Sequence, residues 1–508
     1  MSAALLVAAP ILAPIAASAA AWRLGWRRSV AVATVLAAGV MLVAGAVSVA
    51  WTVDGGTVAA GNWLRIDALS SVMLIVIGSV GVVATWYSIG YIDEELATGH
   101  TDAVGALQYG ALVPIFLAAM VVAVLANNLG LLWAAVEGTT IVTAFLVGHR
   151  RTPKSLEATW KYVIICSVGI ALAYLGTVLV NYAAKQAGVA DHGTLDWTAL
   201  AAHAGDLDPG VMRLAFALLV LGFGTKAGLI PLHSWLPDAH SQAPAPISAL
   251  MSGVLLPVAV YALARYRVIA VASVDAGFVR GLLLAVALAS LALAAGLLLA
   301  QRDYKRLLAY SSIEHMALAA VGLAIGTPLA IAAALLHIVG HGLSKAVLFC
   351  GAGEILARDG STRIDAVRGL FARTPVLAAL FAAGLVALLG LPPFSLFVSE
   401  IGLIRGAFNA HLAWVAAVVL VLLLVVFIAI STRAAGILLG AEPPEPPEGA
   451  AFVSPAAGVA TVPSSVKTLR HSTVLPLTAG LVVVALLGIA DWPLGQLLHT
   501  AAQIVGTR

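Results

Sequence analysis

Lys226 stands inside a long apolar run, in the stretch Gly222 to Pro246, GFGTKAGLIPLHSWLPDAHSQAPAP. An amine at membrane depth can take up and release a proton, but it needs a polar partner to stay charged there. Pro231 and Pro237 follow it. Each proline removes a backbone donor and crowds the preceding turn, so a broken helix is expected across 222–238. Backbone groups freed at that depth survive only against protein or a water-lined cavity, and ion-transporting membrane proteins build their sites in this way. The bland alternative is a lysine that snorkels to the interface beside an ordinary proline kink. A break follows Lys226, not an interface, which favours a site; His233 lies in that break and is counted with it.

Other apolar stretches also carry ionisable groups. Glu137, in LLWAAVEGTTIVTAFL, lies near the middle of a span, where a charge costs several kcal/mol. It is either one half of a pair with Lys226 or a protonated packing glutamate satisfied by Thr139 and Thr140. His337, His341 and Lys345 recur at i, i+4 and i+8 in HIVGHGLSK, so a helix would place them on one face as a polar stripe about 12 Å long. Imidazoles that titrate near neutral pH suit a proton relay, and a structural polar core is the alternative. Two histidines four apart, with no third or fourth ligand in view, do not argue for a metal. Glu400 follows a second expected break, at 388–400 in GLPPFSLF, with Arg405 beyond it. Glu314 and His315, in AYSSIEHMAL, follow a basic loop and read either as an access point or as a solvated helix end.

The elements that must position these groups are membrane spans. The chain is 61% hydrophobic and 10% charged, far from the roughly one-quarter charged residues of a soluble domain. Apolar runs of spanning length fall at 3–21, 29–51, 66–92, 107–126, 129–148, 160–183, 212–236, 246–265, 277–300, 308–325, 329–356, 375–408, 413–439 and 473–490, each near the roughly 20 residues that a span requires. An all-α polytopic membrane protein of about 14 helices is expected. The first run is not a cleaved leader, because its charges, Arg23, Arg27 and Arg28, follow the apolar segment.

Placing both termini outside puts most basic residues on the cytoplasmic side, Arg150, Arg151, Lys305, Arg306 and Arg373 among them. It leaves Arg65, Lys185, Arg213, Arg265, Arg267, Arg280 and Arg508 on the outer side, in accord with the positive-inside rule. The stretch Glu442 to Lys467 is Pro-rich and low in complexity, and should sit inside as a disordered loop. The net charge of +3 does not suggest a nucleic-acid partner. Cys166 and Cys350 lie in apolar runs and read as packing residues. No dinucleotide fingerprint, P-loop or zinc-protease motif is present, so no cofactor is expected.

At these residues the chain resembles the antiporter-like subunits of respiratory complex I and their relatives in Mrp antiporters and membrane-bound hydrogenases. The resemblance rests on Glu137, GTKAGLIPLHSWLPDAHSQAPAPISAL, DYKRLLAYSSIEHM, HIVGHGLSKAVLFCGAGEI and GLPPFSLFVSE, which cover most of 130–400. The segments EGTTIVTAFLVGHRRTPKSLEATWKYVIICSVGIAL and SSIEHM look most like component F of hydrogenase-4 and formate-hydrogenlyase-type complexes. The resemblance implies 14 helices with two inverted five-helix repeats, at 107–276 and 277–440. Three spans (1–106) precede them; a loop (441–472) and a last span with its tail (473–508) follow.

It also implies proton translocation along a central polar axis. An uptake-side Glu137–Lys226 pair would feed the His337–Lys345 relay, with Glu400 at the exit. Two departures stand out. Ser252 occupies the position near the start of the eighth span where the family often has Lys or His, so either a water bridges that point or the coupling is weaker there. The chain also ends soon after the fourteenth span and lacks a long lateral helix.

Two functions fit. One is a proton-pumping subunit of a redox complex in a bacterial inner membrane, with other membrane subunits and peripheral redox subunits as partners and no redox catalysis of its own. The other is an ion-conducting subunit of a non-redox transporter, such as a cation/proton antiporter or an inorganic-carbon uptake system. In either case the loop from Glu442 to Pro463 has a composition that cannot form a packed core. Shortening it should leave assembly and transport near wild type, and a correctly assembled but inactive deletion would show that it docks a partner.

Overall fold

The computed structural model describes residues 3–189, 195–441, 469–490 and 494–506. The Pro-rich loop, Lys467 and Arg508 lie outside the described residues. Two helices, α1 (Ala3–Leu24) and α2 (Arg28–Thr52), lead into an antiparallel hairpin of β1 (Val58–Ala60) and β2 (Leu64–Ile66). Four long helices follow: α3 (Ala68–Ala97), α4 (Ala103–Leu125), α5 (Leu129–Val147) and α6 (Pro153–Gln186). The seventh apolar stretch is divided. A short α7 (Trp197–Ala202) precedes α8 (Pro209–Ala227), and α9 (Trp235–Gln242) resumes after the break. Then α10 (Ala245–Leu250) runs through a π turn, Met251–Leu255, into α11 (Leu256–Ser273).

Three further helices, α12 (Ala276–Leu299), α13 (Tyr304–Ile325) and α14 (Pro328–Asp359), complete the central part. A short α15 (Leu370–Arg373) leads to the twelfth stretch, which is divided into α16 (Pro375–Leu388) and α17 (Ser395–Asn409). The chain closes with α18 (Ala413–Leu439), α19 (His471–Ile489) and α20 (Leu494–Val505). Among the described residues, 13 helices are long and apolar enough to cross a membrane; the divided twelfth stretch is in addition to these.

Polar residues at the ends of the apolar runs start these helices. Asp67, Asp102, Asn128, Thr152, Asp208, Asp303 and Thr327 each accept a backbone N–H in the first turn of the helix that follows, satisfying donors that a helix leaves free at its start. The break after Lys226 is shorter than expected. The helix holds to Ala227 and ends on Gly228 in the left-handed region. Pro237 sits in the first turn of α9, where its missing N–H would have had no helical partner anyway. The second break likewise narrows to the residues between Leu388 and Ser395.

α13, α14 and the α10–α11 unit are buried throughout their spanning windows, whereas α1, α18 and α19 are only a third buried there. Leu420, Val421 and Leu424 of α18 are exposed side chains of the kind that face lipid. Tertiary structure also moves several basic residues out of the loops. Lys305, Arg265 and Arg267 are buried. Lys305 donates to the Ser241 and Ala243 carbonyls at 3.0 and 2.9 Å, which the end of α9 leaves free. These residues therefore say nothing about loop charge. Arg27, Arg28, Arg302 and Arg368, by contrast, are exposed.

Arg265 ties α11 to the start of α3. Its two terminal nitrogens each donate to Asp67 at 2.7 Å, and both residues are buried. Burial pushes the Asp67 carboxyl up, but Arg265, Arg65 and the Ser70 N–H outweigh it and hold the group at about 2. With a depressed value in the folded chain, the stabilisation is complete above about pH 4 and is lost as pH falls through about 2. Asp67→Asn should cost about 3–5 kcal/mol, because it strands a buried guanidinium. The check is thermal unfolding of the detergent-solubilised chain at pH 7; an unchanged melting temperature would remove this pair as an anchor.

Candidate functional site

The polar stripe on α14 forms as its spacing requires. His337, His341 and Lys345 are each fully buried on a helix that runs unbroken from Pro328 to Asp359. Their partners come from neighbouring helices. Lys345 Nζ donates to the Leu308 carbonyl at 2.6 Å and the Ser311 hydroxyl at 2.5 Å, both on α13. His337 Nε2 lies 2.9 Å from His315 Nδ1 of α13, and its Nδ1 lies 2.9 Å from the Ser399 hydroxyl of α17. His315, His337 and Ser399 thus form a continuous buried wire. His341 packs its ring 4.8 Å from that of His315.

Glu314 and His315 are not a solvated helix end. They lie well inside α13, at 2% and 1% exposure, and Glu314 Oε2 approaches His315 Nε2 at 3.3 Å.

Ser252, where the family often has Lys or His, makes direct contacts with its neighbours. It sits in the π turn, 2.8 Å from the Ser312 hydroxyl and 3.4 Å from His341 Nε2. Gly253 and Gly342 make this reach possible, because a Cβ on either would press on the other's carbonyl. π turns inside α-helices are frequent at functional sites.

Lys226 is also fully buried, in the last turn of α8, where the helix dipole favours a cation. The expected Glu137–Lys226 contact is not made. Lys226 Nζ donates to the Tyr162 hydroxyl at 3.2 Å and lies over its ring, and Tyr162 in turn bonds the Thr143 hydroxyl. Glu137 instead accepts from Thr140 at 3.0 Å and is half-buried on the face of α5 that also exposes Ile141 and Phe145. Hydroxyls of α5 and α6 therefore separate the two ionisable groups.

Glu400 is half-buried and folds back over the second break. A Cβ on Gly390, which has a φ of +60, would overlap its carboxylate. His233 is half-buried in the first break, apart from these bonds. Among the described residues, no side-chain hydrogen bond joins Lys226 to the α13–α14 cluster, and no group of three His, Cys, Asp or Glu could hold a metal.

Sequence reasoning missed Tyr162, the serines 311, 312 and 399, and His240. His240 is fully buried, stacks on Phe349 at 5.1 Å, and has no hydrogen-bond partner on either ring nitrogen. The one signal for its burial in the sequence was the nearness of the break to Lys226. Serines and a single tyrosine carry no pattern of their own.

The fold and this interior describe a polytopic membrane protein with a buried file of ionisable side chains. The chain belongs to the family of antiporter-like membrane subunits of complex I, Mrp and hydrogenase-type complexes. A family model described as the transmembrane region of NADH:quinone oxidoreductase/Mrp antiporter matches residues 126–427. A second, described as the N-terminus of NADH-ubiquinone oxidoreductase (complex I) chain 5, matches 51–98.

The chain is 39% identical over 348 residues to a hydrogenase-4 component F homolog of Methylacidiphilum infernorum, covering 68% of this chain and 73% of that one. It is 33% identical over 350 residues to hydrogenase-4 component B of Escherichia coli, covering 66% of this chain but only half of that relative. Its fold matches a chain of the membrane-bound sulfane sulfur reductase, an archaeal respiratory membrane complex, with a TM-score of 0.83 over 99% of this chain and 97% of that one, at 22% identity.

Tyr162→Phe keeps the ring and removes the hydroxyl that Lys226 donates to. It should cost about 1–3 kcal/mol of stability, and much less in a Lys226→Met background, where no ammonium needs a partner. Thermal melts of the four chains measure this coupling; equal costs in both backgrounds would mean that Lys226 does not rely on Tyr162.

Proposed function

We propose that this chain moves protons across a bacterial cytoplasmic membrane as a subunit of a hydrogenase-type redox complex. Both termini lie outside, and peripheral partner subunits carry out the electron transfer. The observation that carries the reading is the buried His315–His337–Ser399 wire, which ends one residue from Glu400. Two imidazoles in hydrogen-bond contact can pass a proton from N–H to N, and a hydroxyl can hand it on by accepting one and releasing another. The likeness to a hydrogenase-4 component F homolog supports the choice of complex.

In this reading Glu137, half-buried on an outward face, receives the signal or the proton at the uptake side. Its charge state is felt at Lys226 through the hydroxyls of Thr140, Thr143 and Tyr162. Lys345 sets the field along α14: protonated, it disfavours a second charge on His341 or His315 and drives it towards Glu400. Ser252 gives the file a hydrogen-bonding station that carries no charge of its own. The two divided stretches, five spans apart and each followed by a short helix, support the inverted-repeat arrangement.

The family description also includes Mrp antiporters, which favours a cation/proton antiporter subunit as the second reading. Purification of the native complex separates the two. Iron–sulfur and nickel–iron subunits support the first, and a complex without redox proteins that exchanges cations for protons supports the second.

Glu400→Gln should leave the complex intact and lower the protons pumped per electron, since a neutral isostere preserves volume. Unchanged stoichiometry would take Glu400 out of the path. Glu137→Ala and Lys226→Ala should each abolish most transport in reconstituted vesicles, with the double variant little worse than either. Additive losses would show that the two groups work independently.

A further inference from the structure

At the face of the bundle that carries the β-hairpin, α7 and α20, a cavity of about 550 Å³ opens between α11, α20 and the hairpin. Two guanidiniums line it, Arg65 of β2 and Arg267 of α11, with Trp197, Gln503 and the apolar Val271 and Ile504. Among the described residues, neither arginine has a counter-ion of its own. The carboxylate nearest Arg65 is Asp67, whose oxygen lies 3.8 Å from Arg65 Nε. Both Asp67 oxygens are already bonded by Arg265 at 2.7 Å. Arg267 is 3% exposed, and its one hydrogen bond among the described residues runs from Nη1 to the Val505 carbonyl, at the last turn of α20. Among the described residues, the Nε atoms of both arginines are buried without a hydrogen-bond partner, and no carboxylate lines the cavity.

Charges taken out of water are normally paired, and unpaired buried donors are costly. A guanidinium presents its donors in a fork that matches the oxygens of a phosphate. Trp197 fixes the approach: the Arg65 guanidinium lies 5.6 Å over its ring, and Arg265 lies 4.7 Å over it. We infer that this cavity is an anion site for a phosphate group, clasped between Arg65 and Arg267. The phosphate is either the headgroup of an anionic phospholipid or free phosphate. A bound phosphate completes the coordination of Arg267 and so fastens α20, whose C-terminal turn Arg267 already holds. The apolar wall of Val271 and Ile504 can accept the acyl chains of a lipid but offers nothing to free phosphate.

The test uses the full-length chain, delipidated in neutral detergent, with Arg65→Gln and Arg65→Lys beside it. Arg65 is partly exposed, and without it Asp67 keeps both of its 2.7 Å bonds from Arg265, so these variants fold. Thermal unfolding is followed during titration with inorganic phosphate, with phosphatidylglycerol and with phosphatidylcholine. The expected result is a saturable rise in melting temperature with phosphatidylglycerol, its midpoint shifted at least tenfold in Arg65→Gln and largely restored in Arg65→Lys. A rise with phosphatidylglycerol alone assigns the site to a lipid headgroup; a rise with inorganic phosphate as well assigns it to the phosphate itself. No saturable rise, an equal rise with phosphatidylcholine, or an equal midpoint in Arg65→Gln would overturn the inference.

Discussion

The interior of this protein is governed by one constraint: cations placed beyond the reach of bulk water must find their hydrogen-bond partners inside the bundle. Lys226 and Lys345 are fully buried, and neither forms an ion pair among the described residues. Their partners are neutral oxygens, a tyrosine hydroxyl for one and a serine hydroxyl with a helix carbonyl for the other. Neutral acceptors satisfy the ammonium donors but only partly replace the lost hydration. A lysine held in this way remains sensitive to carboxylates a little farther off, here Glu137 and Glu314. A tight ion pair would lock its charge.

That requirement explains the central place of α14. It packs against α3, α10, α13, α16, α17, α19 and α20, so nearly every side of it meets protein. An all-round buried helix could be wholly apolar; this one carries two imidazoles and an ammonium. The neighbours adapt to them. The π turn before α11 sets Ser252 against His341, α13 offers Ser311, Ser312 and His315, and the helix after the second break offers Ser399. The outer helices carry no such duty, and their exposed leucines and valines suit lipid.

A second, separate charge system holds the opposite ends of the chain together. Asp67 and Arg265 join the start of α3 to α11, and Arg267, two residues on, reaches the end of α20. Its exposed arginine and cavity lie apart from the buried file.

The sequence by itself determined a great deal. Runs of some 20 apolar residues can only be membrane spans when so few charges interrupt them, and a helix repeat of i, i+4, i+8 can only align His337, His341 and Lys345. Prolines and glycines marked both breaks, because their effect on the backbone is local. What it could not determine is which helices face each other. The expected pairing of Lys226 with Glu137 is not a direct contact, since that depends on how α5, α6 and α8 pack, and the packing put Tyr162 in the way. Arg265, Arg267 and Lys305 read as loop charges for the same reason: residues at the ends of spans are buried or bathed according to neighbours far away in the chain. Ser252, Ser311, Ser312 and Ser399 are commonplace residues that became stations only because tertiary structure set them beside imidazoles and an ammonium. Local chemistry fixed the helices and the kinds of group they carry; contacts between distant segments decided which groups meet.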